Sequence, residues 1–175
     1  MSELLKNILR FILLLLLQVF VLNHVLIYAL VAPSLYLLFV LLLPFNMSRW
    51  ALMLCGFVMG LCLDIFMNTQ GMHAAACVFI AFLRPVIMNI LTPHKGFETT
   101  RPTPSIATMG WAPFLTYAAV LVFIHHIVFF TLEIFDLSNF FYLSIKILLS
   151  TVLSIVMIVI YEMLFTRSKA DRRPQ

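Results

Sequence analysis

Gly56-Phe57-Val58-Met59-Gly60-Leu61-Cys62-Leu63-Asp64, continuing through Ile65-Phe66-Met67-Asn68-Thr69-Gln70 to Gly71-Met72-His73-Ala74, puts one carboxylate inside an apolar run and follows it with a polar turn ending on glycine. Gly56, Gly60 and Asp64 recur every fourth residue, so they share one broad stripe of a helix. Glycines at that spacing let a second helix approach closely within a membrane. The stripe therefore turns Asp64 toward protein rather than lipid. An acid so placed is a structural lock, a substrate ligand or a proton site; the plainer alternative is an interfacial acid that reaches headgroup water.

The surrounding composition decides what kind of helix this is. Apolar residues make up 63% of the chain and charged residues 10%, against roughly 45–50% and 25% in soluble domains. With a mean hydropathy of +1.10, the sequence is that of an all-α polytopic membrane protein. Its 175 residues are used up by spans of about 20 residues and short connections, which leaves no room for a soluble domain. Residues 1–166 read as one helical bundle and 167–175 as a basic cytoplasmic tail. The formal charge of +4 would suggest nucleic acid in a soluble protein, but these cations flank spans, as orientation signals do. No nucleic-acid partner is expected. Cys55, Cys62 and Cys77 lie in apolar runs without metal-ligand spacing and read as packing residues rather than a disulfide framework.

Six spans are expected. The first runs from Leu4 to Leu22 with Lys6 and Arg10 at its start; it lacks a small-x-small cleavage site, so it is retained as a span rather than a signal peptide. Ser34 to Leu43, between Pro33 and Pro44, is too short to cross the core at about 1.5 Å per residue, so an irregular, partly re-entrant element is expected between Asn23 and Pro44. The third helix runs from Trp50 to Met67 behind a Ser48 cap. The fourth runs from Met72 to Leu91, with an interruption at Arg84-Pro85. Thr92 to Gly110 reads as a polar loop, Trp111 to Glu133 as the fifth helix and Phe140 to Phe165 as the sixth. A cytoplasmic N-terminus puts Lys6, Arg10, Arg49, Arg84, Lys95, Arg101, Arg167, Lys169, Arg172 and Arg173 at the inner face, and leaves Glu133 and Asp136 in the outer loops. Both termini are then cytoplasmic.

Few residues offer chemistry. Lys146 lies at a depth Asp64 matches, so an Asp64–Lys146 ion pair competes with snorkelling of Lys146. His24, His73, His125 and His126 do not form a metal or haem set, because adjacent helical residues point about 100° apart; they read as polar packing groups. No nucleophilic triad, paired carboxylates, H-E-x-x-H or phosphate-binding glycine loop occurs, so no enzyme, catalytic residue, cofactor or metal is expected. Lys95, Arg101 and the tail suit anionic headgroups or a cytoplasmic partner, or serve orientation alone.

An ordered set of residues resembles the rod shape-determining protein MreD family. It comprises Gln18 late in the first span, Pro33 opening the second, Leu43-Pro44 closing it, the Gly56–Asp64 run, and Gly71 followed by small residues to Ala76. The resemblance covers Leu13 to Arg84; His73, Arg84-Pro85 and the proline-rich inner loop depart from the family's common pattern. It implies a non-enzymatic component of the bacterial elongation machinery in the cytoplasmic membrane. The implied partners are MreC and, in the larger complex, MreB, RodA and a class B penicillin-binding transpeptidase, alongside membrane lipids. It also implies a bundle like the substrate-binding subunits of ECF vitamin transporters. Two functions follow. One is a scaffold for lateral peptidoglycan synthesis and cell shape, with Gly56, Gly60, Asp64, Asn68, Gly71 and His73 holding a partner or the bundle itself. The other is a transport subunit binding a small molecule or lipid with the same outer layer.

Overall fold

The computed structural model describes residues 3–24, 31–91, 103–134 and 139–170. The expected loop cations Lys95 and Arg101, the outer Asp136 and the tail residues Arg172 and Arg173 lie outside them. Seven α-helices are present among the described residues: α1 Glu3–Phe20, α2 Leu37–Leu41, α3 Arg49–Met67, α4 Met72–Leu91, α5 Ile106–Met109, α6 Trp111–Ile134 and α7 Phe140–Ala170. A short 3-10 turn, Leu22–His24, follows α1.

Among the described residues four helices, α3, α4, α6 and α7, are long and apolar enough to cross a membrane. The 18-residue α1 has Glu3, Lys6 and Arg10 in its N-terminal half. The second span is short and irregular, as expected: only Leu37–Leu41 is helical, and all of Leu35 to Leu43 is buried. Residues 25–30 of the expected irregular element lie outside the described residues.

The remaining segment, residues 31–43, is the centre of the molecule. Gln18 of α1 meets Pro33 and Leu35, whereas Arg10 meets Leu42, so the segment runs back along α1 in the opposite direction. The Phe11 and Phe39 rings, 5.2 Å apart, fix the same register. Around this strip, α3 pairs with α4, α4 with α6, and α6 with α7. Helix α6 carries no marked apolar face; it buries Phe114, Tyr117, Leu121, His125, His126 and Phe130 from neighbouring helices on several sides.

Local chemistry accounts for the helix ends. Ser48 Oγ accepts from Ala51 N–H at 3.3 Å, and its extended backbone starts α3. Asn68 takes the left-handed conformation (φ 56°) that closes α3. Helix α4 continues through Pro85, because helices on both sides hold the flanking turns, so the expected interruption is absent. Part of the expected 92–110 loop is ordered as α5. Ser105 and Thr108 form a capping box there, and Glu162 of α7 accepts from Ile106 N–H at 3.1 Å. Helix α7 runs on to Ala170, past its expected end at Phe165.

Candidate functional site

Asp64 joins α3 to the start of α4. Its Oδ1 accepts from Thr69 Oγ1 at 2.5 Å and from His73 N–H at 3.0 Å, and its Oδ2 accepts from Ala74 N–H at 2.9 Å. His73 Nδ1 lies 3.0 Å from the same Oδ1, so this nitrogen carries the proton it donates. A carboxylate at a helix N-terminus satisfies N–H groups that lack intrahelical partners and meets the positive end of the helix dipole. The acid is thus a helix cap supplied from the preceding helix.

The glycine stripe makes that reach feasible. A Cβ on Gly60 would collide with the backbone of Ala74, and one on Gly56 would lie 2.9 Å from Cys77 O. Both glycines are therefore used by α4 of the same chain, in the close-packing role expected of such a stripe. Gly71 differs: its φ of +89° demands glycine, while a Cβ there would meet nothing within 4 Å. Asn68 and Gly71 shape the turn that returns the chain to Asp64.

The ion pair weighed for Lys146 goes elsewhere. Its Nζ donates to Glu133 Oε2 at 2.7 Å and lies 4.6 Å from the centroid of the Phe130 ring. Both oxygens of Asp64 are already engaged by Thr69, His73 and Ala74. The Asp64–Lys146 pair is accordingly replaced by a link between α6 and α7.

A second set of polar side chains grips the backbone of residues 32–43. Gln18 donates from Nε2 to Pro33 O at 2.8 Å and accepts from Leu35 N–H at 3.0 Å. Ser150 and Ser154 of α7 accept from Ala32 N–H and Ser34 N–H at 3.1 and 2.9 Å. At the other end Tyr117 O–H donates to Leu41 O, Arg10 to Leu42 O and Arg84 to Leu43 O. These carbonyls are the ones a five-residue helix leaves without partners, and two of their three donors are cations suited to a helix C-terminus. Arg84, expected at or near the inner face, is 2% exposed and also donates from Nε to the Tyr117 hydroxyl oxygen at 2.8 Å. Non-helical backbone at membrane depth is stable only when protein supplies every partner.

Between the two networks lies a cluster of buried rings. Tyr36 O–H is hydrogen-bonded to His125 Nε2 at 2.9 Å, and the Tyr36 ring sits edge-on to both His73 and His125. His126 donates from Nδ1 to Val122 O at 2.9 Å, with Thr151 Oγ1 3.2 Å from the same nitrogen. Among the described residues His125 Nδ1 and His126 Nε2 have no hydrogen-bond partner. Among the described residues no group of three or more His, Cys, Asp or Glu side chains is placed to hold a metal ion.

Sequence reasoning found Asp64, its glycines and His73. Gln18 and Pro33 stood out only as markers, not as partners of one another. Arg84, Tyr117, Ser150 and Ser154 were missed as a set, since their common target is backbone, which leaves no spacing to read. No protein-family model matches the chain, no curated protein matches it, and no solved structure matches its fold.

Proposed function

We propose that this chain is a non-enzymatic scaffold of the bacterial cell-elongation machinery, an MreD-type protein of the cytoplasmic membrane that binds MreC and supports lateral wall synthesis. The ordered residues from Gln18 to Ala76 support the family reading. One structural observation favours a scaffold over a transport subunit. The polar groups that converge from α1, α4, α6 and α7 are committed to the chain's own backbone at residues 32–43. A bundle built in this way is rigid at its centre. In the proposal, α1 and the returning segment supply the first two of six crossings, both termini are cytoplasmic, and the layer of Asp64, Asn68 and His73 faces outward.

The test is co-purification of the tagged full chain with MreC from bacterial membranes. Stoichiometric capture is expected, with Asp64→Ala reducing it and Asp64→Asn, which keeps an acceptor oxygen for the α4 cap, retaining more. A purified protein that carries a stoichiometric small molecule and captures no MreC overturns the scaffold. That result would favour a ligand-binding transport subunit, a reading supported by His125 Nδ1 and His126 Nε2, which have no partner among the described residues.

A further inference from the structure

A groove of about 350 Å³ lies between the N-terminal halves of α1 and α3. Phe39 and Leu43, both buried, form its floor, while the exposed Ile8 and Leu54 stand at its lips. Its lining is apolar except for Asn7, and Asn7 leads to a charge. Arg10 donates from Nη1 to Asn7 Oδ1 and to Leu42 O, each at 3.2 Å. Both acceptors are neutral, and neither of the ion pairs His73–Asp64 and Lys146–Glu133 involves Arg10. A guanidinium has five N–H donors in a planar fork, and those on Nε and Nη2 of Arg10 have no protein acceptor among the described residues. Arg84, on the far side of Leu43, donates to neutral oxygens among the described residues. One lining residue of this apolar groove, Asn7, is therefore held by a half-buried cation that has no anionic partner among the described residues.

We propose that this groove is a binding site for an anionic glycerophospholipid, with one acyl chain along Phe39 and Leu43 and the phosphodiester on the free edge of Arg10. Charge complementarity selects the occupant. A partner helix would fill the apolar part but leave the guanidinium unpaired, whereas a phosphate accepts two parallel N–H bonds from such a fork. Basic pockets between membrane helices recognise lipid headgroups by this chemistry. Its lining comes from α1, α3 and residues 39–47 between them, so the proposal does not rest on the scaffold reading.

The experiment uses the full chain purified from nanodiscs made with equal amounts of phosphatidylglycerol and phosphatidylethanolamine, with retained lipid counted by native mass spectrometry. Both lipids offer a phosphodiester to Arg10, but the ethanolamine ammonium offsets that charge beside the guanidinium, so phosphatidylglycerol is expected to be retained about tenfold over phosphatidylethanolamine. Arg10→Gln should bring the ratio close to one. Leu54→Trp, at an exposed lip and away from the Leu42 carbonyl, should reduce retention of both lipids without altering the thermal midpoint; it decides the matter if the arginine variant fails to fold. Equal retention of the two lipids by the unmodified protein, or an unchanged ratio in Arg10→Gln, overturns the proposal. So does benzoylphenylalanine at Leu54 crosslinking in whole membranes to a protein rather than to lipid.

Discussion

Asp64 and Gln18 are the two polar residues whose loss has the clearest consequence. Replacing Asp64 by Ala leaves the N–H groups of His73 and Ala74 without an acceptor at the start of α4. A loss of about 1–3 kcal/mol is expected, to be read from unfolding in detergent; a variant as stable as the parent would mean that water replaces the carboxylate. Gln18→Leu is expected to cost more, because Pro33 O and Leu35 N–H are both deep inside the bundle, at about 1–3 kcal/mol for each orphaned group. Gln18→Glu separates the two contacts, keeping the acceptor for Leu35 N–H and losing the donor for Pro33 O. Asp64 was legible in the sequence because a charge in an apolar run announces itself. The donors to Leu41, Leu42 and Leu43 were not, since a carbonyl that needs a partner has no sequence signature.

At the level of elements, α3 and α4 form a hairpin whose closeness is set by glycine. Gly60→Ala and Gly71→Ala test different physics at its two levels. The first pushes a methyl group into the Ala74 backbone and should separate the helices, lowering the thermal midpoint sharply or preventing accumulation. The second has open space but a φ of +89°, so a cost of about 1–2 kcal/mol is expected with α3–α4 packing preserved. If the two variants proved equally stable, close approach would not be what Gly60 provides. Periodicity predicted the long helices to within a few residues, from Ser48 at the head of α3 to Leu91 at the end of α4. For residues 31–43 the two prolines and the short run between them announced a short, irregular element, but not its burial on every side, since such a run shows neither a 3.6-residue stripe nor a span's length. The Arg84-Pro85 pair also announced a break, where neighbouring helices hold α4 continuous.

For the molecule as a whole, contacts divide the bundle into two ends. Arg10, Leu43, Arg84 and Tyr117 gather at one, and Asp64, His73, Glu133 and Lys146 at or toward the other. In the proposed orientation, a cysteine at Asn68 is labelled by a membrane-impermeant maleimide in intact cells, and one at Trp50 only after permeabilisation, both in a background free of Cys55, Cys62 and Cys77. The reverse pattern would invert the protein in the membrane. Composition made the membrane class plain at once, and the distribution of cations gave the expected orientation. What it could not convey is that the chain's early part is fastened by its last helix.

That fastening has a consequence for the order of synthesis. Ala32 and Ser34 take their hydrogen-bond acceptors from Ser150 and Ser154, 118 and 120 residues further along the chain. While the ribosome is still making the intervening helices, the N–H groups of Ala32 and Ser34 have no native partners, and apolar surroundings would make that state costly. The nascent strip must therefore wait in water, at the membrane surface or under a chaperone's cover until α7 arrives. A chain cut short before Phe140 should be degraded soon after release, and supplying α7 as a separate polypeptide should protect it.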